Sequence, residues 1–377
     1  MKIIYCTHST YSPGGMERVL ANKIGYLAEH TDAELLVVTT DQKGREPYYP
    51  YPAKVRTIDL GIDYSDDNAK NIFRKITGYL HRRRLHRRRL SALLTKEKAD
   101  IVVSLFPSES SFIPNLTDGS KKVLELHFCK FFRLQYGRSG LIGWLDRRRS
   151  RSDERLVRRF DAFVVLTEED RGYWGDVPGI TVIPNAARQL PAKATGHCRR
   201  VIAVGRLDYQ KSFDRLIQVW GKVQATGRFH DWHLDIFGQG PDKDKLEHMI
   251  SQAGLSDTAA VNPPTPDIDR EYASSSILAM TSRYEGFPMV LVEGMAAGLP
   301  AVTFDFKCGP KEIIRHGTDG FIVPDGNIDG FATCLMTLMD NDGLRLSMSA
   351  KAAEVADRFN RQRVMQLWLD LFHNLCK

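Results

Sequence analysis

The sequence lacks the marks of a metal-bound or disulfide-stapled chain. Its six cysteines, Cys6, Cys129, Cys198, Cys308, Cys334 and Cys376, are scattered, with no CxxC pair and no Cys/His spacing that suits zinc. Reduced thiols are expected, with neither disulfides nor structural metal. No apolar run approaches the roughly 18 residues of a membrane-crossing helix. The opening MKIIYCTHS goes straight into a short apolar strand, with no hydrophobic signal core or small-residue cleavage site, so a cytoplasmic location is expected. The loop after that strand reads YSPGGME. It is not the GxGxxG that a dinucleotide-binding enzyme or a sugar-nucleotide epimerase needs there.

What is present is an ordinary globular composition, 42% hydrophobic and 26% charged over 377 residues. That length exceeds what one hydrophobic core usually fills, so two domains are expected. The net charge of +7 is concentrated: HRRRLHRRRL (81 to 90) carries +6 and DRRRSRSDERLVRR (146 to 159) carries +4, which leaves the rest of the chain near −3. Basicity therefore belongs to two patches on the N-terminal half.

Short β-branched runs alternate with helical patterns throughout. KIIYCT, ELLVVTT, ADIVVSLF, KVLELHF and AFVVLT precede a polar link near 185 to 200, and RVIAVG, HLDIFGQG, SSILAMTS, PAVTFDF and GFIVPDG follow it. Runs that are apolar without alternation are buried on both faces, as in parallel sheets flanked by helices. The expected fold is α/β, two Rossmann-like doubly wound domains facing a cleft, with ligands at the carboxyl ends of the strands.

Four strand-to-helix loops could carry chemistry. In THSTYSPGGMERVL, Gly14 and Gly15 would let amides at a helix start approach an anion or a polar sugar face, and a plain tight turn is the commoner explanation of such a pair. In AVGRLDYQKSFDRLI (203 to 217), Arg206 and Lys211 could converge on a diphosphate, or pair with Asp208 and Asp214 in a solvated loop. In YEGFPMVLVEGMAAGLP (284 to 300), Glu285 precedes a helix expected from about Pro288 to Ala297 and Glu293 lies two turns inside it. The amides around Gly286, Phe287, Met289 and Val290 then form a cradle for an anion or hydroxyl beside Glu285, with proline fitting the first turn. A buried acid capping a neighbouring loop is the other reading of Glu293. The fourth, CGPKEII, reads mostly as turn chemistry. His127, ending KVLELHF, could face the cleft or be a core histidine satisfied by backbone.

GGMERVL, GRLDYQK, FGQGP, EGFPMVLVEGMAAGLPAVTFD and CGPKEII, in that order and spacing, resemble the retaining nucleotide-sugar glycosyltransferases of family 4, with the GT-B fold. The resemblance spans nearly the whole chain and rests most on the two glutamates of EGFP…EGMAAGLP and the Arg/Lys pair upstream. It implies an acceptor-side domain over 1–188 with a returning C-terminal helix over 360–377, and a nucleotide-sugar-binding domain over 198–359. It gives Glu285 the hydroxyls of the donor sugar, Gly286, Phe287 and Pro288 the lining of sugar and diphosphate, and Glu293 the ribose. Arg206 and Lys211 should bind the diphosphate, Gly14 and Gly15 should line the donor site, and His127 should lie near the reacting sugar.

The implied reaction is metal-independent transfer of a hexosyl or N-acetylhexosaminyl group from a nucleotide diphosphate sugar, with retention. The implied acceptor is a glycan or lipid-linked hydroxyl in cell-surface polysaccharide synthesis. A UDP-sugar is favoured over a GDP-sugar, and no further cofactor is implied. Two departures bear on loop geometry: Ser212 follows Lys211 and Ala186 follows Asn185, where relatives usually carry glycine. The arginines of 82–89 and 147–159, with Phe73, Tyr79, Leu80 and Trp144 nearby, could rest on an anionic membrane surface presenting the acceptor. The rival readings are a basic nucleic-acid-binding protein, which no binding motif accompanies, and an inactive GT-B scaffold.

Overall fold

The computed structural model describes residues 1–64, 72–105, 107–134, 138–188 and 193–377, without the side chains of 72–76. Part of the polar link (189–192) and the side chain of Phe73 thus lie outside the described residues. The chain divides into two compact units. One comprises Met1–Leu166, Arg171–Ile183 and Gln362–Lys377, the other Thr167–Asp170 and Pro184–Arg361. Thr167–Asp170 joins the second because Glu169 accepts from the Cys308 amide at 3.0 Å and its own N–H donates to Glu312 at 2.9 Å.

The first unit is built on seven strands: β1 (Lys2–Thr7), β2 (Glu34–Thr39), β3 (Arg56–Asp59), β4 (Ile101–Ser104), β5 (Lys121–Glu125), β6 (Ala162–Val165) and β7 (Ile180–Val182). They lie in the order β3-β2-β1-β4-β5-β6-β7, all parallel, with Ile4 beside Leu36 on one side and Val102 on the other. The second unit has β8 (Arg200–Val204), β9 (His233–Phe237), β10 (Ala259–Asn262), β11 (Ile277–Met280), β12 (Ala301–Phe304) and β13 (Gly320–Val323). Their order is β10-β9-β8-β11-β12-β13, again parallel. In each sheet the order reverses beside the first strand, at β1/β4 and at β8/β11. Such a switch point opens a crevice at the carboxyl ends of the strands.

The central strands, and β13 at one edge of the second sheet, carry the continuous apolar runs. The three strands that the apolar pattern does not reveal, β3, β7 and β10, all lie at sheet edges and are largely half-buried or exposed. An edge strand has only one neighbour and needs fewer apolar positions. Arg56 fastens β3 through a two-pronged bond to Glu97, 2.9 Å for each contact, and Lys2 Nζ reaches the same carboxylate at 2.8 Å. These bonds hold Glu97 down to about 2.

Helices cover the sheets by 3.6-residue periodicity. In Phe213–Gln224 the buried positions Phe213, Leu216, Ile217, Trp220 and Val223 form one stripe. That stripe packs in the second core with Phe331, Leu335 and Leu338 of the helix Ile328–Asp340, each buried side chain contributing about 1.5–3 kcal/mol. Asn327 caps that partner helix by accepting from the Gly330 amide at 2.9 Å. Among the described residues no helix is long and apolar enough to cross a membrane.

Beyond β4, Ser104 donates to Glu109 at 2.5 Å, and burial pushes the Glu109 carboxyl up to about 7. The folded state therefore binds a proton that the unfolded chain releases near 4.5, so this group favours folding at low pH and loses that contribution as pH rises from about 4.5 through 7. Glu109→Gln should flatten this part of the stability profile and leave the variant up to about 3 kcal/mol more stable than wild type at pH 8. Urea unfolding at pH 4.5 and 8 tests it; parallel profiles for the two proteins would refute the assignment.

Candidate functional site

The site is assembled from the loops at the carboxyl ends of β8 and β11. The chain leaves β8 at Gly205, whose N–H bonds Phe237 at 3.0 Å, while the Gly238 amide bonds Asn262 at 2.9 Å. A Cβ at Gly238 would lie 1.9 Å from the Gly205 carbonyl oxygen. Only glycine lets these strand ends close so tightly, which gives the FGQGP motif a physical reason. Asp208 then folds the loop by accepting from the amides of Gln210 and Lys211 at 3.1 and 3.2 Å. Ser212 takes the left-handed conformation, φ 53°, as its residue type departs from glycine but its backbone does not.

This turn aims Lys211 at Glu285. The ammonium donates to Glu285 Oε1 at 2.6 Å, Ser282 Oγ donates to the same oxygen at 2.8 Å, and Gln210 Nε2 reaches Oε2 at 3.2 Å. Glu285 is buried, so its oxygens are satisfied by these donors instead of water. Gln210 also donates to the Tyr284 carbonyl at 3.0 Å and accepts from the Arg283 amide at 2.8 Å, locking one loop to the other.

Arg206 does not join them. Its side chain is 74% exposed and lies 3.4 Å from Asp208, so the expected convergence of both cations is absent from this arrangement and the alternative pairing with Asp208 is observed. Asp214 pairs instead with Ser212 Oγ at 3.0 Å and Arg283 at 3.9 Å.

The helix after Glu285 runs Met289–Ala296, with Pro288 at its cap. Its first bonds are donated by Leu291 and Val292 to the Pro288 carbonyl at 2.9 and 3.2 Å. The amides of Gly286, Phe287, Met289 and Val290 thus precede the ladder beside Glu285. Phe287 and Pro288 are buried: the ring of Phe287 meets Phe359 edge-on, centroids 5.4 Å apart. A Cβ at Gly309 of CGPKEII would lie 2.5 Å from Pro288 Cδ. That glycine serves the cradle by letting its loop pack on the helix start.

Glu293, two turns in, is 3% exposed and lies 3.4 Å from Nε of Arg188. Arg188 forks onto Asp269, one contact at 2.6 Å and the other between Nη2 and Oδ1. Burial alone would lower the guanidinium, but the bonds from Asp269 and the charge of Glu293 more than offset it and raise it above its ordinary value. The sequence gives little sign of Arg188, Asp269, Gln210 or Ser282, because no motif spacing links residues up to 81 positions apart.

In the first unit, Gly14 caps the helix Gly15–His30. A Cβ there would lie 2.0 Å from Glu17 Oε2, whereas one at Gly15 would meet nothing within 4 Å. The expected anion cradle at this helix start is thus overlain by the chain's own carboxylate, which burial raises and its own amide partly offsets. The strand before His127 ends at Glu125, two residues short of the expected end. The contact of the imidazole is a carboxylate and not backbone: Nε2 lies 3.2 Å from Glu125 Oε1.

Two doubly wound units, each with its switch point beside its first strand, are the arrangement that the GT-B expectation requires. Residues 13–188 match the model for Glycosyltransferase Family 4 and residues 193–355 that for Glycosyl transferases group 1. The two glycosyltransferase models together cover most of the chain, family 4 the first half and group 1 the second, and the fold is GT-B. It is 38% identical to the amylovoran biosynthesis glycosyltransferase AmsD of Erwinia amylovora over 174 residues, 46% of this chain and 48% of the relative. It is 34% identical to an exopolysaccharide phosphotransferase of Streptomyces coelicolor over 222 residues, 57% of this chain and 23% of the relative. The chain therefore spans half or less of these two relatives. Among solved structures, a mutant of S. aureus TarM in complex with Fondaparinux, alpha-GlcNAc-glycerol and UDP matches with a TM-score of 0.79 and 17% identity, covering 98% of this chain and 99% of that one. This likeness carries the fold.

The left-handed Ser212 is a sensitive point in this loop. Ser212→Val should destabilise the chain by about 2 kcal/mol or more, because a β-branched residue tolerates that conformation poorly, while Ser212→Gly should stay within about 1 kcal/mol of wild type. Thermal unfolding of both checks it, and equal losses would contradict the backbone assignment.

Proposed function

We propose that this chain is a retaining, metal-independent glycosyltransferase. It transfers a hexosyl or N-acetylhexosaminyl group from a nucleotide diphosphate sugar to a hydroxyl of a glycan or lipid-linked acceptor in cell-surface polysaccharide synthesis. Residues 198–359 serve as the donor-binding domain, and 1–188 with 360–377 as the acceptor-side domain. The observation that carries this reading is the buried Lys211–Glu285 pair at 2.6 Å beside the amides that open the helix Met289–Ala296. It joins a cation for a diphosphate, an acceptor for sugar hydroxyls and a helix start in one place.

In this reading Lys211, with Arg206 swinging in from solvent, neutralises the charge that grows on the departing diphosphate. Glu285 accepts from hydroxyls of the sugar, Gly286, Phe287 and Pro288 line it through their backbone, and Glu293 holds the ribose. Gly14 and Gly15 line the donor site, with His127 near the reacting sugar. The acceptor hydroxyl attacks on the face from which the nucleotide leaves, so configuration is retained. UDP is favoured as the nucleotide, in keeping with the UDP bound by the structurally similar TarM.

Glu285→Ala, Lys211→Ala and Arg206→Ala should each lower transfer by about 10²–10³-fold, with circular dichroism unchanged. The measurement is nucleotide release and product analysis after a thermal-shift screen of uridine and guanosine diphospho-sugars against membrane-extracted acceptors. Wild-type rates in all three variants would sink the site. Release of UMP in place of UDP would indicate sugar-phosphate transfer and would overturn the sugar-transfer reading. Strongly salt-dependent nucleic-acid binding without turnover would favour the DNA- or RNA-binding reading.

We also place the chain on the cytoplasmic face of an anionic membrane. The helix Gly140–Val157 exposes Leu141, Ile142, Trp144 and Leu145 ahead of Arg147, Arg148, Arg149, Arg151 and Arg155. Its acids are turned to partners, Asp146 to Arg138 at 3.0 Å, Asp153 to Arg133 at 2.8 Å and Glu154 to Lys130 at 2.9 Å. In the helix Ile72–Glu97, by contrast, Arg82 donates to the Ile62 carbonyl and Arg89 to that of Gly61, each at 2.9 Å. Replacing Arg147, Arg148, Arg149 and Arg151 by glutamine should therefore reduce flotation with anionic vesicles more than replacing Arg82 and Arg89. No flotation of wild type, or flotation unchanged by the first set, removes the membrane from the reading.

A further inference from the structure

The first unit buries charges of its own. Lys23, in the helix Gly15–His30, and Glu125, the last residue of β5, have side chains 5% and 1% exposed, and the ammonium donates to Glu125 Oε1 at 2.5 Å. The Lys23 ammonium also sits 3.5 Å from the ring centre of Trp368, in the helix Arg361–Leu375, and 5.9 Å from that of Tyr5. The oxygen that Lys23 holds is the one that lies 3.2 Å from Nε2 of His127.

Glu125 and His127 are two positions apart, so along the extended chain their side chains leave on the same side. Leu126 between them keeps the backbone in line by bonding the Val164 carbonyl at 3.0 Å. Burial works against the Glu125 charge, but the charge of Lys23 and the hydrogen bonds from Lys23 and His127 hold the carboxyl well below its ordinary value. An ionised carboxylate only accepts hydrogen bonds, so an imidazole in its neutral form faces it with the proton on Nε2. Nδ1 is then left with a lone pair, at the carboxyl end of a central strand, where doubly wound sheets take their ligands.

We propose that Glu125 is a positioning residue that fixes His127 as the Nε2–H tautomer, so that Nδ1 accepts a hydrogen bond from a hydroxyl of the bound sugar. Lys23, boxed by Trp368, keeps Glu125 ionised for this task. A carboxylate present only to balance Lys23 would leave the tautomer of His127 unset. The inference rests on the role given to His127 in the proposed transfer reaction.

The test uses the full chain labelled with ¹⁵N-histidine, with His127→Asn assigning the resonance. Wild type should show a protonated Nε2 and an unprotonated Nδ1 at His127, and the charge-neutral double variant Lys23→Met/Glu125→Leu should show a mixture of tautomers. The double variant should also lose kcat on the order of 10- to 100-fold, as when a carboxylate that orients a functional imidazole is removed, with KM for the nucleotide sugar within about twofold. A proton on Nδ1 in wild type, or wild-type kcat in the folded double variant, overturns the proposal. Should the double variant not fold, the milder pair Lys23→Leu/Glu125→Met, which likewise removes the acceptor, is held to the same two readouts. If wild type transfers no sugar from any donor, the transfer reading fails, while the ¹⁵N spectrum still decides the tautomer.

Discussion

A charge taken out of water has to keep company with its opposite, and in the second unit that requirement ties the ends of two strands together. β8 and β11 are neighbours in the sheet, and the loops leaving them carry Lys211 and Glu285. Separating the loops would leave a carboxylate and an ammonium stranded in a poorly hydrated place, at a cost of several kcal/mol. The turn at Asp208, the clasp of Gln210 and the tight approach of Gly238 all act in the same direction, since each restricts how far Lys211 can stray. A diphosphate offered to this loop would not need to attract a cation from solvent. It would only have to share one already held in position, the preorganisation on which electrostatic stabilisation of a transition state depends.

The same physics recurs in different surroundings, three of which bear on the architecture and the site. Arg188 balances Asp269 and Glu293, Lys23 balances Glu125, and Arg56 with Lys2 balances Glu97. The last sits at a sheet edge and serves architecture. The first two lie beside residues that the family resemblance singles out, Glu293 and His127, so the partner charges determine how those residues are presented.

How much of this could be read from the residues depends on range. Nine of the strands announce themselves because a central strand buried on both faces must be largely apolar, and the edge strand β13 is apolar as well, whereas β3, β7 and β10 carry Arg56, Thr181 and Asn262 and leave no such trace. Glu285 and Glu293 stand out as acids in an apolar segment, and the motif order supplies the family. Their partners do not stand out. Ser282 is one polar residue among many until the loop folds it onto Glu285, and Arg188 meets Glu293 across 105 positions that no spacing rule connects. Lys23 and Glu125 look like surface charges in an amphipathic helix and at a strand end. Only the parallel packing of helix on sheet reveals them as buried. Arg206 shows the converse: adjacency in sequence suggests a pair with Lys211, and the turn at Asp208 sends the two in different directions.

The polar edges have a consequence for the life of the chain among its copies. A parallel sheet ends in a row of unused amides and carbonyls, an open template on which a second molecule could add a strand. β3 meets this with Arg56 and Asp59 in a four-residue strand, and β7 with a strand of only three residues. Short borders, one of them charged, offer little length to which another strand can zip. In a unit whose sheet is otherwise made of runs of valine, isoleucine and leucine, they work against edge-to-edge pairing of copies.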